Sequence, residues 1–561
     1  MGVPPLFDLK ITNARLVDGT GAPEQQADIG INGSRITAVG DATGSAKRTL
    51  NADGRLVTPG FVDIHTHYDG QVCWDKQVSP SCWHGVTSVV MGNCGVGFAP
   101  VRPGDESRLV SLMESVEDIP GSALHIGIPW GWESFEEYLD TIDTAYALDV
   151  GAQVPHAAIR RYVMGDRCYD DATNADMQAM AKLTGEALRA GALGFSTSRF
   201  YGHVDIEGKL IPGTLAQANE MTTIASAFEK LDHGTIEIIS DHLNEDAELA
   251  WIEAIMRQTG RTITTLAGAD SGRIWEFAEK VADDGLSIRP QVGARPASIL
   301  MSLDGTINPM KIFPSYREVM REPIEDQIRL LRDTGFRARI KADTPIEYRN
   351  ADARRFTTSY SEMFPLDSEL TYEPEPNDSI EGISKSSGQH HLDVLMDAMA
   401  DRRPVIFFFG GYPGDLERQR TAIEDPRSVF GLSDGGAHCG VLCDASVPTY
   451  MLAYFTRDRH RGPKLPLPLV VHKMTQDSAG VYGLNDRGVV QPGYLADLNI
   501  IDYDALALEP PEMVYDLPGS GKRLIQKAHG YAATLKRGAI TFEHGEATGE
   551  MPGALIRGGT L

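Results

Sequence analysis

Val57-Thr-Pro-Gly-Phe-Val-Asp-Ile-His-Thr-His-Tyr-Asp69 is the stretch on which the reading of this chain turns. A largely apolar run over 61–64 ends in His65 and His67, and Asp69 follows. In a β-strand, residues i and i+2 point to the same face. Both imidazoles therefore project together from the end of a buried strand, which is how a protein offers two nitrogen ligands to one metal ion. A bare His-x-His pair also occurs as ordinary structure, so the rest of the chain must supply the partners.

Downstream, short apolar runs alternate with helical stretches, the pattern of a parallel α/β fold. Eight strands are expected, at 59–66, 85–93, 150–156, 192–197, 235–240, 262–266, 286–292 and 428–433. Eight βα units predict a TIM-type (β/α)8 barrel, which carries its chemistry at the C-terminal strand ends. The connection over about 294–427 is far longer than an ordinary loop. It holds helical stretches at 325–332 and 392–400 and an acidic, Pro-containing piece at 372–378, and it reads as an inserted subdomain over the barrel mouth. Residues 8–57 alternate apolar and polar positions between turn signals, and the same style returns around 493–502 and 533–540. The two ends are expected to pair into a small β-sandwich, giving a β-domain of 1–57 plus 478–561 and a barrel domain of 58–477.

The ligand types sort by strand end. Strand 1 gives His65 and His67; strand 2 runs into Asn93-Cys94; strand 5 into Ser240-Asp241-His242; strand 8 into Asp434-Gly-Gly-Ala-His438. Histidine, thiolate and carboxylate together make a zinc ligand set. Each has a plainer reading: Cys94 as a small buried residue in a Gly-rich turn, Asp434 as a turn or helix cap, His242 as a loop-lining side chain. His438, Cys439 and the pair His390-His391 read more readily as structural.

Composition narrows the partners. The chain has 561 residues, enough for a large core, and a formal net charge of −26. Such an acidic molecule repels phosphate backbones and anionic membranes, so nucleic acid and membrane partners are disfavoured. No apolar run approaches the roughly 20 residues that span a bilayer, and the first residues lack the pattern of a signal peptide. The six cysteines are irregularly spaced, which fits a reducing cytoplasm better than a disulfide framework. A small-molecule substrate and a homo-oligomer are both compatible with all of this.

Gly92-Asn-Cys-Gly-Val-Gly-Phe-Ala-Pro100, with Cys94 27 residues after His67, resembles the bridging-cysteine motif of the N-acyl-D-amino-acid deacylases (D-aminoacylases), in amidohydrolase family 3. Gly191-Ala-Leu-Gly-Phe-Ser-Thr-Ser198 is similar to that family's fourth strand, and Asp486-Arg-Gly-Val-Val-Gln-Pro-Gly-Tyr-Leu-Ala-Asp-Leu498 to its return into the β-domain. The resemblance covers nearly the whole chain. It implies hydrolysis of a C–N amide bond with one or two Zn2+ ions, held by His65, His67, Cys94 and His242 and with Asp434 as general base and ligand. D-preference comes from the resemblance alone. The chain departs from the family at strand 6, where Thr264-Thr265 replaces a Ser-His pair, and strand 4 has no lysine. A tightly held second zinc therefore lacks its ligand.

A free carboxylate on the substrate calls for arginine, whose fork binds carboxylates bidentately. Arg199 follows strand 4, and Arg289 and Arg295 lie on or after strand 7. His156, after strand 3, is a candidate for stabilising the oxyanion. A cyclic amide or a carbamate is the alternative substrate, because rim loops change specificity without changing the fold. A catalytically inactive barrel serving as a scaffold is the alternative of another class; the missing strand 6 histidine favours it and the retained His65, His67, Cys94 and Asp434 oppose it. A serine hydrolase is disfavoured, since Gly194-Phe-Ser-Thr-Ser198 lacks the second glycine of a nucleophile elbow.

Overall fold

The computed structural model describes residues 6–268, 271–347, 351–409, 412–431 and 433–559. Eight parallel strands follow one another around a barrel: strand 1 is Phe61–Asp63, strand 2 Val86–Met91, strand 3 Asp149–Pro155, strand 4 Gly194–Arg199, strand 5 Thr235–Ser240, strand 6 Ile263–Leu266, strand 7 Ile288–Val292 and strand 8 Val429–Phe430. Strands 2 and 3 are buried at every residue, as expected of a parallel sheet covered on both faces. Helices fill the crossovers. Asn174–Ala190 begins with a Thr173–Asp176 capping box and ends at Gly191, whose φ of 117° turns the chain into strand 4.

Strand 1 stops at Asp63, short of the expected 66, because the segment bearing His65 and His67 leaves the ladder to close the barrel. Thr66 bridges in parallel to Gly435, His67 N–H donates to the Gly435 carbonyl at 2.8 Å, and Asp434 N–H donates to the His65 carbonyl at 3.2 Å. The first and last strands are therefore joined by the loop segments that carry His65, His67 and Asp434. Strand 8 is likewise shorter than expected, and Leu432 of its expected range lies outside the described residues.

Both chain ends enter one nine-stranded sheet. Phe7–Leu16, Gln25–Asn32, Arg35–Gly40, Ala46–Asn51 and Leu56–Pro59 join Leu498–Ile501, Tyr531–Lys536, Ala539–Glu543 and Glu546–Ala547. Leu56–Pro59 pairs with Leu498–Ile501 and runs straight into strand 1. The hinge is Gly60, where an added Cβ would come within 2.2 Å of Thr87 Oγ1. Below the barrel, buried Asp149 meets Arg487 at 2.6 Å and Lys536 at 2.8 Å, and Lys536 also meets Asp497 at 2.7 Å. These paired charges lock the closed end of the barrel to that sheet.

Between strands 7 and 8 the chain builds a three-stranded antiparallel sheet, Ser298–Met301, Val405–Phe408 and Met363–Pro365. Helices including Ile324–Arg332 and His391–Ala400 pack on it around an apolar cluster with Met301, Leu331, Leu395 and Phe407. This insertion leans on the loop after strand 8: Leu300 N–H donates to Val441 O at 2.7 Å and Thr306 N–H to Gly440 O at 3.1 Å. No helix among the described residues is long and apolar enough to cross a membrane.

Candidate metal centre

At the open end of the barrel, one ligand atom from each of His65, His67 and Cys94 lies within 4.8 Å of the others. Cys94 Sγ is 3.4 Å from His65 Nε2. Asp434 Oδ1 is 3.4 Å from the same nitrogen and 3.6 Å from His67 Nε2. Tetrahedral bonds of about 2.0–2.3 Å to nitrogen, oxygen and sulfur hold ligand atoms roughly 3.3–3.6 Å apart. The observed separations match edges of such a tetrahedron, and those from Asp434 to the two histidines are long for hydrogen bonds. Both ring nitrogens of His67 are buried without a hydrogen-bond partner, as are Glu117 Oε1 and Glu237 Oε1. Orphaned buried polar atoms on this scale are costly, and a divalent cation among them removes the cost. The residues present therefore fit a metal ion.

The backbone is shaped for this purpose. Cys94, Asp434 and His438 all have left-handed φ, at 57°, 48° and 50°, a conformation that non-glycine residues adopt at a cost and that clusters at functional sites. Two glycines make room. At Gly92 (φ 81°) a Cβ would lie 2.5 Å from the Gln153 carbonyl, and at Gly436 (φ 91°) one would lie 2.9 Å from the His67 carbonyl. Asn93 Nδ2 donates to Thr66 O and Val90 O at 3.0 Å each, pinning the cysteine loop to strands 1 and 2.

An unusual amount of acid is buried around the centre. Glu237, inside strand 5, accepts the Cys94 N–H at 3.1 Å and lies 3.9 Å from His65 Nδ1. Glu117, the last residue of helix Glu106–Glu117, lies 3.4 Å from His67 Nδ1 and 3.5 Å from His438 Nε2. Burial pushes both glutamates well above the usual carboxylate range, helped by the negative charge of Asp434. Burial likewise carries Asp63 and Asp69 to about 7. Asp434 differs: burial works to raise it, but the adjoining His67 ring and the interactions with His65 and His438 prevail and hold it below the usual range. Burial lowers His65 to about 4 and also lowers His67, which favours the neutral form that offers a lone pair to a metal. Burial and nearby carboxylates raise the Cys94 thiol; a bound cation is what would make it a thiolate. Asp434, with 21% of its side chain exposed against 1% or less for the two histidines, is the carboxylate that faces the mouth.

The other residues singled out from the sequence are placed differently. His242 lies on the rim, its Nδ1 2.7 Å from Glu245 Oε1 and its ring against Tyr201, outside the cluster of possible ligands. His156 has both ring nitrogens engaged, Nδ1 with Thr197 at 2.8 Å and Nε2 with Glu220 at 3.0 Å. Arg199 Nε donates to Glu248 at 2.7 Å. Arg289 donates to Asp477 at 2.6 Å. Arg295 is buried between the rings of Tyr372 and Tyr450, donates to Asp444 at 3.0 Å and Gln526 at 3.2 Å, and keeps a buried Nε without a partner. Three residues near the centre escaped the sequence reading. Glu237 could have been found, as a lone charge in an apolar strand. Glu117 looks like one acid among several at a helix end. His203, in the loop after strand 4, donates to or accepts from Ser198 at 2.8 Å; burial and the charges of His438 and His67 lower it to about 3.

The model of the "Amidohydrolase family" matches residues 48–542. The chain is 26% identical to D-aminoacylase of Alcaligenes xylosoxydans xylosoxydans, over 98% of this chain and 97% of that one. It is 27% identical to N-acyl-D-aspartate deacylase of the same organism, over 99% and 96%. Among solved structures, D-aminoacylase superposes with a TM-score of 0.64 at 23% identity, covering 98% of this chain and 100% of that one. N-acyl-D-glutamate deacylase of Bordetella bronchiseptica, complexed with zinc and a phosphonate inhibitor, superposes with a TM-score of 0.63 at 23% identity, over 99% and 100%. The chain belongs to the amidohydrolase family and is a metal-dependent hydrolase of C–N bonds other than peptide bonds.

Proposed function

We propose that this chain hydrolyses the amide bond of N-acyl-D-amino acids, using one zinc ion held by His65, His67 and Cys94 with Asp434 beside it. The observation that carries the reading is the position of Asp434, whose Oδ1 lies 3.4 and 3.6 Å from the two histidine nitrogens while its side chain opens to the mouth. The names of the near-full-length relatives support the N-acyl-D-amino-acid substrate. One ion rather than two is supported by Thr264 and Thr265 at strand 6 and by the engagement of His242 with Glu245.

When bound, zinc polarises the scissile carbonyl and lowers the pKa of a water from 15.7 to about 7. Asp434, kept ionised by its histidine neighbours, accepts the water's proton and then delivers it to the leaving amine. His65 is fixed by the 2.9 Å contact of its Nδ1 with Gln291 Oε1, which leaves Nε2 for the metal. Arg295 is better supported than Arg199 for a substrate carboxylate, because its Nε is unpartnered and its partner Asp444 feels the charges of Asp434 and His438. His203 and His438 are better placed than the doubly engaged His156 to meet the oxyanion. Six cysteines without disulfides support a cytoplasmic location.

The experiment is a panel of N-acetyl D- and L-amino acids offered to zinc-loaded protein, with free amine as the readout. Release from D-substrates and not from their L-partners is the expected result. No amine from any of them, with ring opening of a hydantoin or dihydropyrimidine, would replace this substrate with a cyclic amide.

A further inference from the structure

Helix Glu106–Glu117 lies in the crossover after strand 2 and packs its apolar face into the core, yet its last residue lies beside His67. Its last side chain, Glu117, is 1% exposed. The chain reverses at once through Asp118, whose φ of 51° is left-handed. Asp118 is held there by Gly440 N–H at 2.9 Å and Thr306 Oγ1 at 3.0 Å. The backbone carbonyl of Glu117 accepts the N–H of His438. The helix end is therefore tied twice to the loop after strand 8, through Gly440 and His438, and once to the insertion, through Thr306, so the carboxyl group it delivers is held in position.

That carboxyl group faces two histidines. Oε1 lies 3.4 Å from His67 Nδ1, and Oε2 lies 3.5 Å from His438 Nε2. Neither Glu117 Oε1 nor His67 Nδ1 has a hydrogen-bond partner among the described residues, and each is the other's near neighbour. Among the described residues no lysine or arginine pairs with Glu117, although burying a carboxylate without a cation is expensive. On the far side of the ring, His67 Nε2 faces Asp434 Oδ1 at 3.6 Å. A metal ligand histidine that gives its second N–H to a carboxylate has its tautomer fixed and its basicity raised, and loss of such a partner typically costs 10–100-fold in metal affinity. The other ligand histidine, His65, is served by a neutral amide, Gln291.

We propose that Glu117 is a positioning residue for the metal centre: it accepts the Nδ1 proton of His67, so that Nε2 is presented to the ion, and holds His438 at the mouth with its other oxygen. This rests on the assignment of His65, His67 and Cys94 as metal ligands, but not on the identity of the substrate. It assigns a function to a residue on a helix that otherwise belongs to the scaffold, and it makes the helix end, rather than a strand end, one of the determinants of metal affinity.

The test is zinc affinity by competition with a chromophoric chelator, on wild-type protein and on Glu117→Gln, a change that keeps shape and removes charge. A 10–100-fold weaker affinity is expected, together with a shifted visible spectrum after cobalt substitution, while the circular dichroism of the metal-free protein is unchanged. Glu117→Asp should recover part of the affinity. If folded Glu117→Gln binds zinc within twofold of wild type, the proposal is wrong. A second measurement needs no variant: histidine-labelled, zinc-loaded wild type should show His67 protonated and exchange-protected at Nδ1, and a proton at Nε2 instead would overturn the proposal. Wild type that takes up no zinc at all would instead defeat the underlying ligand assignment.

Discussion

Replacing Asp434 by Asn separates chemistry from metal binding. Asn has the same shape, and its Oδ1 can still sit near His65 Nε2 and His67 Nε2, which lie 3.4 and 3.6 Å away. The other candidate ligands, His65, His67 and Cys94, are untouched and buried. The variant should therefore fold and keep about one zinc per chain. It cannot take a proton from water. General acid–base catalysis contributes about 10²–10⁴-fold, and this carboxylate serves at both the water and the leaving amine. A loss of roughly 10³–10⁴ in kcat is expected, about 4–5.5 kcal/mol of barrier at 1.36 kcal/mol per decade. The assay is kcat and KM for release of a D-amino acid from its N-acetyl derivative, with zinc content measured on the same sample. Turnover within tenfold of wild type, at equal zinc content, would refute the role of Asp434.

Three further outcomes follow from the geometry. Gly436→Ala places a Cβ 2.9 Å from the His67 carbonyl at a φ of 91°, so left-handed strain and overpacking together should cost about 2–4 kcal/mol, read as a lower urea midpoint and weaker zinc retention; an unchanged midpoint would show that this loop is not tightly built. His242→Ala should leave the zinc content unchanged, since its Nδ1 is engaged with Glu245, and loss of zinc would make His242 a ligand after all. His84 is buried with its nitrogens 2.8 Å from Thr449 Oγ1 and Gln526 O, and burial lowers it from 6.5 to about 3. Above pH 6.5 it is neutral both folded and unfolded; as pH falls toward 3 only the unfolded chain binds the proton. Its contribution, at most about 5 kcal/mol, is therefore present above pH 6.5 and lost on acidification. Urea midpoints between pH 7 and 4 should fall less steeply for His84→Gln than for wild type, and parallel slopes would exclude this linkage.

The barrel was legible because its strands are short runs of buried apolar residues, as in Val86–Met91, punctuated by Gly and Pro. His65, His67, Cys94 and Asp434 were legible as candidates because each lies at or within four residues of a strand's end, and barrel closure brings strand ends together. His242 also follows a strand, yet the side chain turns outward to Glu245: sequence gives the strand end but not the direction of the loop beyond it. Arg199 and Arg295 were legible as arginines near the mouth, but their partners Glu248 and Asp444 are 49 and 149 residues away in sequence. Glu117 was hidden for the same reason. It acquires meaning only when the loop after strand 8, with His438, folds back on the helix end through a contact of the Glu117 backbone carbonyl. His203 sits in a loop with no periodic pattern, and no local signal marks it.

Zinc per chain, by elemental analysis of protein purified without added metal and again after zinc addition and desalting, tests the centre most directly. The account predicts about one tightly held zinc ion, lost in His65→Ala and in Cys94→Ala. No zinc in either preparation would contradict the metal centre, and two tightly held ions would contradict the single site built from His65, His67, Cys94 and Asp434.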